Sequence, residues 1–251
     1  MRQTALLPMV PGRDVGLRPF FSYYGGKWRV SLKHYPTPRH ETIVEPFAGS
    51  AGYSLRYANR NVVLCEIDPV IAAVWRYLIG GSPQEVRSTP DVPLDGSVDD
   101  LPVPQEARWL VGFWMNRGVS RPRKSPSRWM RDGIRPGSFW GHRVREVVAS
   151  QVESVRHWRI IEGDYRECHV PVVGNATWFI DPPYQRAGKH YKFGSDGLDY
   201  ADLAEWCQSR PGQAIVCEND GADWLPFTPL ADIKTTRRDH RSKEVIWKGG
   251  E

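Results

Sequence analysis

The sequence predicts an α/β protein with a doubly wound, mostly parallel sheet and a small helical lobe inserted into it. Three observations support this prediction. Two strand-then-helix units follow one another early in the chain, the composition changes abruptly at residue 80, and the strand pattern returns near residue 159. The 251 residues suffice for one such core with an appended lobe.

The two strand-then-helix units are built in the same way. Residues 42–44 form a β-branched strand, and the small residues of 47–52 turn the chain into a helix-prone stretch at 53–58. Residues 62–65 form the next strand, and Pro69 then begins a helix whose apolar residues recur at helical spacing. Such repetition favours parallel pairing of the strands.

The insertion begins where Pro, Gly, Ser and Asp become frequent. Residues 105–116 predict a helix within it, and a second helix leads back to the core, since five valines share one helical face: Val144, Val147, Val148, Val152 and Val155. We therefore predict a core domain of residues 1–79 and 157–251 and an inserted lobe of residues 80–156.

Four further strands and one helix complete the predicted core. The strands are expected at residues 159–161, 178–180, 214–217 and 243–247, and the helix at 202–209.

Composition argues against a membrane or secreted protein. No apolar stretch approaches the roughly 20 residues that cross a bilayer, and the N-terminus lacks the apolar region of a signal peptide. The 4 cysteines are widely spaced and the 7 histidines show no i, i+4 pairing, so we expect reduced thiols and no metal site. We expect a cytoplasmic protein, and no feature indicates an obligatory protein partner.

The net charge of +5 is unevenly distributed. Residues 117–145 contain nine basic residues and one acidic residue. Such a concentration is typical of a segment that contacts nucleic acid, although a solvated basic loop is the alternative interpretation.

The segment most informative about function begins at Asp181. Asp181, Pro182, Pro183 and Tyr184 directly follow an apolar, β-prone run at residues 177–180. A carboxylate, two rigid prolines and an aromatic ring at the end of a buried strand form a small pocket suited to a flat heterocycle that bears an amino group. This pattern favours chemistry on a nucleobase.

Two other segments are typical of a nucleoside site. The small residues of 47–52 tighten a strand-to-helix turn, which alone is a weak signal because many folds use such turns. Glu66 lies at the end of the next strand, where doubly wound folds place a carboxylate that accepts hydrogen bonds from ribose hydroxyls.

Five motifs occur in a fixed order. They are Tyr-Tyr-Gly-Gly-Lys at 23–27, Glu-Pro-Phe-Ala-Gly-Ser-Ala-Gly at 45–52, Glu-Ile-Asp at 66–68, Gly-Asp-Tyr at 163–165 and Asp-Pro-Pro-Tyr at 181–184. This order resembles that of Dam-type (D12 class) DNA adenine N6-methyltransferases; one departure is Ala51, where the family often has glycine. The resemblance implies a Rossmann-like class I methyltransferase fold, in which the core is the catalytic domain and the lobe recognises the target.

The resemblance also implies S-adenosylmethionine as the cofactor. Lys27 would face its carboxylate, Glu66 would bind its ribose and Ile67 would pack on its adenine. The complete set of implied cofactor-binding residues is Tyr23, Lys27, Phe47, Gly49, Glu66, Ile67, Asp164 and Tyr165.

By the same resemblance, double-stranded DNA is the substrate and partner. The Asp181 carboxylate and the Pro182 carbonyl would accept hydrogen bonds from the amine of a flipped-out adenine, on which Tyr184 would stack. We expect Asp181→Ala to abolish methyl transfer and to leave cofactor binding largely intact. Phosphates would contact basic residues of the lobe: Arg117, Arg121, Arg123, Lys124, Arg128, Arg131 and Arg135.

Two other functions stay open from the sequence. One is methyl transfer to a different planar amine or amide, such as an RNA base or a glutamine side chain. The other is DNA binding by a catalytically silent methyltransferase fold, against which the intact Lys27, Glu66, Asp181 and Tyr184 argue. The sequence also does not distinguish a restriction–modification enzyme from a phage or stand-alone one.

Overall fold

A computed structural model describes residues 16–134, 137–168, 174–188, 191–234 and 241–250. These residues form a seven-stranded sheet. The strands are β1 (Thr42–Glu45), β2 (Asn61–Glu66), β3 (Arg159–Glu162), β4 (Ala176–Ile180), β5 (Gly212–Asn219), β6 (Thr228–Lys234) and β7 (Arg241–Gly249). The helices are α1 (Trp28–His34), α2 (Pro69–Gly80), α3 (Pro83–Ser88), α4 (Gln105–Met115), α5 (Arg128–Arg131), α6 (His142–Gln151) and α7 (Tyr200–Gln208).

The strand order is β3-β2-β1-β4-β5-β7-β6. Strands β1 to β5 pair in parallel, whereas β7 pairs antiparallel with both β5 and β6. The order reverses between β1 and β4, which is the switch point of a doubly wound sheet. The predicted Rossmann-like α/β fold with a doubly wound, mostly parallel sheet is confirmed.

Each face of the sheet is covered by its own core. On one face, Ile43 and Leu64 share a core with Trp75 of α2 and with residues of the insertion, including Phe113 of α4 and Val148 of α6. On the other face, Val44 and Ile180 pack with Leu203 of α7. The insertion therefore shares one hydrophobic core with the sheet and α2, and its boundaries at 80 and 156 stay a prediction.

Most predicted elements are present, one predicted helix is reduced to a turn, and β6 and the helices α1, α3 and α5 were not predicted. Residues 53–58 form only a single 3-10 turn, Ser54–Arg56, because Tyr53 is buried and stacks on Phe179 of β4 at 4.2 Å between ring centroids. This tertiary contact outweighs the local helix propensity. The strand β6 was not predicted, because it is an edge strand with an exposed Pro229 and pairs only with β7.

Within the described residues, every helix is too short or too polar to span a lipid bilayer.

Candidate active site

A cavity of about 600 Å³ lies at the carboxyl ends of β1, β2 and β4, beside the switch point of the sheet. The turn of residues 23–27 closes one side, and residues of the 191–198 segment cover another. Asp181 and all eight residues that the resemblance assigns to the cofactor line this cavity: Tyr23, Lys27, Phe47, Gly49, Glu66, Ile67, Asp164 and Tyr165.

The turn after β1 brings the backbone close to the cavity because it contains glycine at two crowded positions. Gly49 has a φ of 46°, and a Cβ there would lie 3.2 Å from the ring of Tyr23. A Cβ on Gly52 would lie 2.6 Å from the backbone nitrogen of Trp28, at the start of α1. Glycine at 52 therefore allows the segment that carries Lys27 to pack against this turn.

Glu66 is held in place by the backbone around it. Its Oε2 accepts a hydrogen bond from Gly49 N at 2.8 Å, and its Oε1 accepts one from Asp68 N at 2.9 Å. Burial raises the pKa of Glu66 to about 7, although these backbone hydrogen bonds lower it. The carboxyl group is thus fixed in orientation, with further lone pairs for a ligand hydroxyl.

One wall of the cavity is apolar. The rings of Phe47 and Tyr165 stack with centroids 5.4 Å apart, and the hydroxyl of Tyr165 donates a hydrogen bond to Asp202 at 2.6 Å. Ile67, which is 40% exposed, lines the same cavity. Asp164 caps the next turn and pairs with Arg166 at 2.7 Å. Phe47, Tyr165 and Ile67 give this wall an apolar surface that a flat ring could contact.

Asp181 forms an ion pair with Lys27. The Nζ of Lys27 lies 2.9 Å from both carboxylate oxygens and donates a hydrogen bond to Oδ2. Among the described residues, the buried Oδ1 of Asp181 accepts no hydrogen bond. Burial raises the pKa of Asp181, and Lys27 partly counters this effect. Asp181 therefore lines the cavity with its side chain 19% exposed and with Lys27 close to both of its oxygens.

The other two predicted catalytic residues lie beside Asp181. The described lining of the cavity includes Pro183 but neither Pro182, which is buried, nor Tyr184. Tyr184 packs against the core, its ring lies 4.8 Å from Nζ of Lys27, and its hydroxyl donates a hydrogen bond to Glu244 at 2.7 Å. The proposed roles of Pro182 and Tyr184 stay predictions.

Three buried glutamates near this edge were assigned no role from the sequence. Burial raises the pKa of Glu45 and of Glu218 to about 8. Glu45 ends β1 and lines the cavity, Glu218 lies near the end of β5, and Glu244 lies in β7. The sequence did contain a signal for Glu45 and Glu218, since each is a charged residue in a strand that is otherwise largely apolar. Glu244 gave no such signal, because β7 contains other charged residues.

Tyr191 was also missed. It lines the cavity, its ring lies 5.4 Å from that of Tyr24, and its hydroxyl lies 3.5 Å from the Tyr24 carbonyl oxygen. Next to it, Lys192 donates a hydrogen bond to Asp68 at 3.1 Å and so connects the covering segment to the start of α2.

The predicted DNA-binding residues lie on the surface of the insertion. Lys124 pairs with Asp99 at 2.7 Å, and Arg128 pairs with Asp132 at 3.2 Å. Arg131 donates a hydrogen bond to the Pro126 carbonyl. Arg135 lies outside the described residues, and the exposed members of the set are Arg117, Arg121, Arg123, Lys124, Arg128 and Arg131.

The basic segment is attached to the rim of the cavity. Tyr24 N donates a hydrogen bond to the Val119 carbonyl at 3.2 Å, and Gly118 N donates one to the Ser22 hydroxyl at 2.9 Å. Tyr23, which lines the cavity, forms a β-bridge with Val119. The segment that follows Arg117 therefore begins at the cavity.

No cluster of three or more His, Cys, Asp or Glu side chains suited to a metal ion occurs in the described part of the chain.

Comparisons with known proteins give only remote likenesses. No protein-family model and no curated protein matches the chain. One similar solved structure is a "conserved hypothetical protein" of Streptococcus pyogenes, with 10% identity, coverage of 83% of this chain and 85% of that chain, and a TM-score of 0.37. Another is a "putative methylase" of Haemophilus influenzae, with 11% identity, coverage of 90% and 84%, and a TM-score of 0.34. The fold of this chain is therefore inferred from its own strand order.

Proposed function

We propose that this protein transfers a methyl group from S-adenosylmethionine to the N6 amine of an adenine flipped out of double-stranded DNA. The observation that carries the proposal is that Asp181 opens onto the same cavity as the eight residues assigned to the cofactor. The reaction needs an acceptor for the amine next to the methyl donor, and a common cavity supplies that proximity.

The residues that line the cavity suit the cofactor. Its volume of about 600 Å³ lies within the range of small-molecule sites. The fixed carboxyl group of Glu66 would bind the ribose hydroxyls, and Ile67, Phe47 and Tyr165 would contact the adenine. Bound S-adenosylmethionine supplies an electrophilic methyl group, whose transfer to an amine forms a carbon–nitrogen bond, breaks the carbon–sulfur bond, leaves a neutral thioether and releases one proton.

Asp181 would act on the amine that receives the methyl group. Its carboxylate would accept a hydrogen bond from the amine, which localises the nitrogen lone pair and stabilises the positive charge that develops on nitrogen. The group is largely buried, so this interaction is stronger than it would be in water. Lys27 compensates the buried carboxylate and favours its ionised form.

The insertion would hold the DNA over the cavity. Its exposed arginines would contact phosphates, and the β-bridge between Val119 and Tyr23 would keep them at the rim. Trp129 is 60% exposed and lies next to Arg128, which suits a ring that contacts unstacked bases. Trp140, by contrast, is buried and donates a hydrogen bond to the Pro90 carbonyl. Phosphate contacts would offset the few kcal/mol that flipping a base costs.

The decisive experiment supplies cofactor with a deuterated methyl group and a random pool of duplex DNA. The expected product is labelled N6-methyladenine, detected by mass spectrometry of the digested nucleosides, and sequencing of the modified positions would give the recognition site. Label on cytosine would contradict the adenine specificity. Parallel reactions with RNA and with a glutamine-containing protein test the other amine and amide substrates, and label there but not on DNA would favour them. Absence of cofactor binding in calorimetry would favour a silent fold.

A matched pair of variants connects the activity to the site. Asp181→Ala is expected to abolish labelling, whereas Asp95→Ala, which changes an exposed aspartate of the insertion, should label DNA at the wild-type rate. Equal activity of the two variants would contradict the role of Asp181.

A further inference from the structure

Glu244 contacts the proposed catalytic turn from a distant part of the chain. It lies near the start of β7, and because β7 runs antiparallel to β5, Glu244 pairs with Asn219 at the edge where the parallel strands end. The residue is buried, with 8% of its surface exposed. A buried carboxyl group is costly unless it is hydrogen-bonded, so its partners indicate its role.

Those partners are hydroxyl groups of neighbouring side chains, among them that of Tyr184. The Oε2 of Glu244 accepts a hydrogen bond from Tyr184 at 2.7 Å and another from Tyr35 at 3.2 Å, while Ser242 donates to Oε1 at 3.3 Å. The Tyr35 ring in turn packs edge-on against Phe179 of β4, at 5.1 Å. The Tyr184 ring is thus held at its hydroxyl end by β7 and at its backbone by the turn after β4.

The same carboxyl group contributes to the charge around Asp181. Burial raises the pKa of Asp181, Lys27 lowers it, Glu244 raises it, and the Tyr184 hydroxyl lowers it. Burial alone would lower the pKa of Lys27, but Asp181 and then Glu244 raise it above its ordinary value. The other titratable groups that face this cluster include Glu45 of β1, Cys217 and Glu218 of β5, Tyr35 and Tyr191.

We propose that Glu244 is a positioning residue: through its hydrogen bond it fixes the ring of Tyr184, and with Lys27 it sets the charge against which Asp181 acts. The catalytic role of Glu244 rests on the proposed function, whereas its hydrogen bond to Tyr184 does not depend on any substrate. One residue of β7 would then fix the position of the Tyr184 ring, which would contact the base, and influence the charge of Asp181, which would bind the amine.

Two substitutions separate the hydrogen bond from the charge. Glu244→Gln removes the charge and keeps an oxygen that can accept the Tyr184 hydrogen bond. Tyr184→Phe keeps the ring and removes the hydrogen bond. As a control, Glu162→Gln removes the charge of a half-exposed glutamate at the end of β3, where it pairs with Arg76.

The first measurement follows the Asp181 carboxyl carbon by NMR as a function of pH in the ligand-free protein. Because Glu244 raises the pKa of Asp181 and the Tyr184 hydroxyl lowers it, Glu244→Gln should move the Asp181 titration to lower pH and Tyr184→Phe should move it to higher pH. Glu162→Gln should leave it where it is. If Glu244→Gln leaves the Asp181 titration at the wild-type pH, or if the control moves it equally, the inference is overturned.

The second measurement is methyl transfer by the full-length protein. Tyr184→Phe should lower kcat roughly tenfold to a hundredfold, as expected for a misplaced ring. Glu244→Gln should lower kcat through the changed charge at Asp181, and both variants should keep their affinity for S-adenosylmethionine. A wild-type kcat in both variants would overturn the positioning role.

The two ideas can fail separately. Wild-type protein that methylates no DNA would overturn the proposed function, whereas the NMR titration would still decide whether Glu244 sets the charge at Asp181. If Glu244→Gln does not fold, Tyr184→Phe still tests the same network, because a wild-type Asp181 titration in that variant would show that the hydroxyl does not act on Asp181.

Discussion

Two lysine–aspartate pairs of this protein have similar geometry and opposite surroundings. Lys27 and Asp181 lie 2.9 Å apart at the cavity, with side chains 7% and 19% exposed, whereas Lys124 and Asp99 lie 2.7 Å apart on the insertion, with side chains 77% and 44% exposed. Removing one partner of a buried pair leaves the other charge uncompensated. In an exposed pair, water and salt ions stabilise the charge that remains. Distance alone therefore does not show which charges matter for stability and chemistry.

The same contrast holds for the two regions as a whole. Several charged residues at the cavity edge are buried and held by specific hydrogen bonds, as Glu66 is by Gly49 and Asp68. The insertion contains many charges that are exposed and loosely paired. The first arrangement suits chemistry on a small group, and the second suits contact with a polyanion.

The largest expected effect is on catalysis by the buried pair. Asp181→Asn keeps the size of the side chain and removes its charge, so we expect kcat to fall roughly a hundredfold to a thousandfold. Lys124→Met should leave kcat unchanged. Methylation of duplex DNA measures the rate of each variant. A normal rate for Asp181→Asn would show that the buried pair is not needed for catalysis.

Stability gives the next effect. Lys27→Met leaves Asp181 buried without its cation and should lower the free energy of unfolding by about 3 kcal/mol. Lys124→Met, at the exposed pair, should not change it measurably. Urea unfolding at neutral pH provides the measurement, and equal losses in the two variants would break the comparison.

The buried glutamates predict a dependence of stability on pH. The pKa of Glu45 is raised to about 8, so between its unfolded value of 4.5 and 8 the folded state binds more protons than the unfolded state. Stability should therefore fall as pH rises through this window, by roughly 2 kcal/mol from Glu45 between pH 6 and 8. Glu45→Gln, which can still accept the hydrogen bond from Ser54 N, should flatten this dependence in urea titrations. An unchanged slope would show that Glu45 titrates normally.

The exposed charges should act through salt-dependent DNA binding. Each arginine that contacts a phosphate contributes about 0.9 to the slope of log K against log salt concentration. The double variant Arg121→Ala and Arg128→Ala should therefore reduce the slope, whereas Arg76→Ala with Arg159→Ala, which removes the same charge near β3, should not. Binding of a duplex by fluorescence anisotropy at several salt concentrations tests this, and equal slopes for the two double variants would rule out the insertion as the DNA contact.

The smallest expected effect concerns backbone strain at the cavity edge. Ala51 is the non-glycine residue with positive φ among the described residues, at 51°. Ala51→Gly should relieve this strain and raise the free energy of unfolding by up to about 1 kcal/mol, less the added entropy of the unfolded chain. A loss of stability would indicate that the buried methyl group of Ala51 contributes more than the strain costs.

Much of the architecture could be predicted from local sequence patterns. The β-branched strands, the Pro69 start of α2 and the apolar face of α4 each give a clear period, and the helix over 105–116 matches α4 closely. The edge strand β6 and the short turn at Ser54–Arg56 could not be predicted in this way. The first depends on pairing with β7, and the second depends on the packing of Tyr53 against Phe179.

The sequence by itself determined which chemical groups end the strands. In a doubly wound sheet the carboxyl ends of parallel strands meet at one edge, so Glu66 and Asp181 could be expected at one cavity from their positions after β2 and β4. Only the tertiary structure decided that Lys27 pairs with Asp181 and that Glu244 binds the Tyr184 hydroxyl. In the first contact the two residues are separated by 154 positions in the sequence, and in the second by 60. Such long-range contacts depend on how helices and strands pack, which no local period of the sequence encodes.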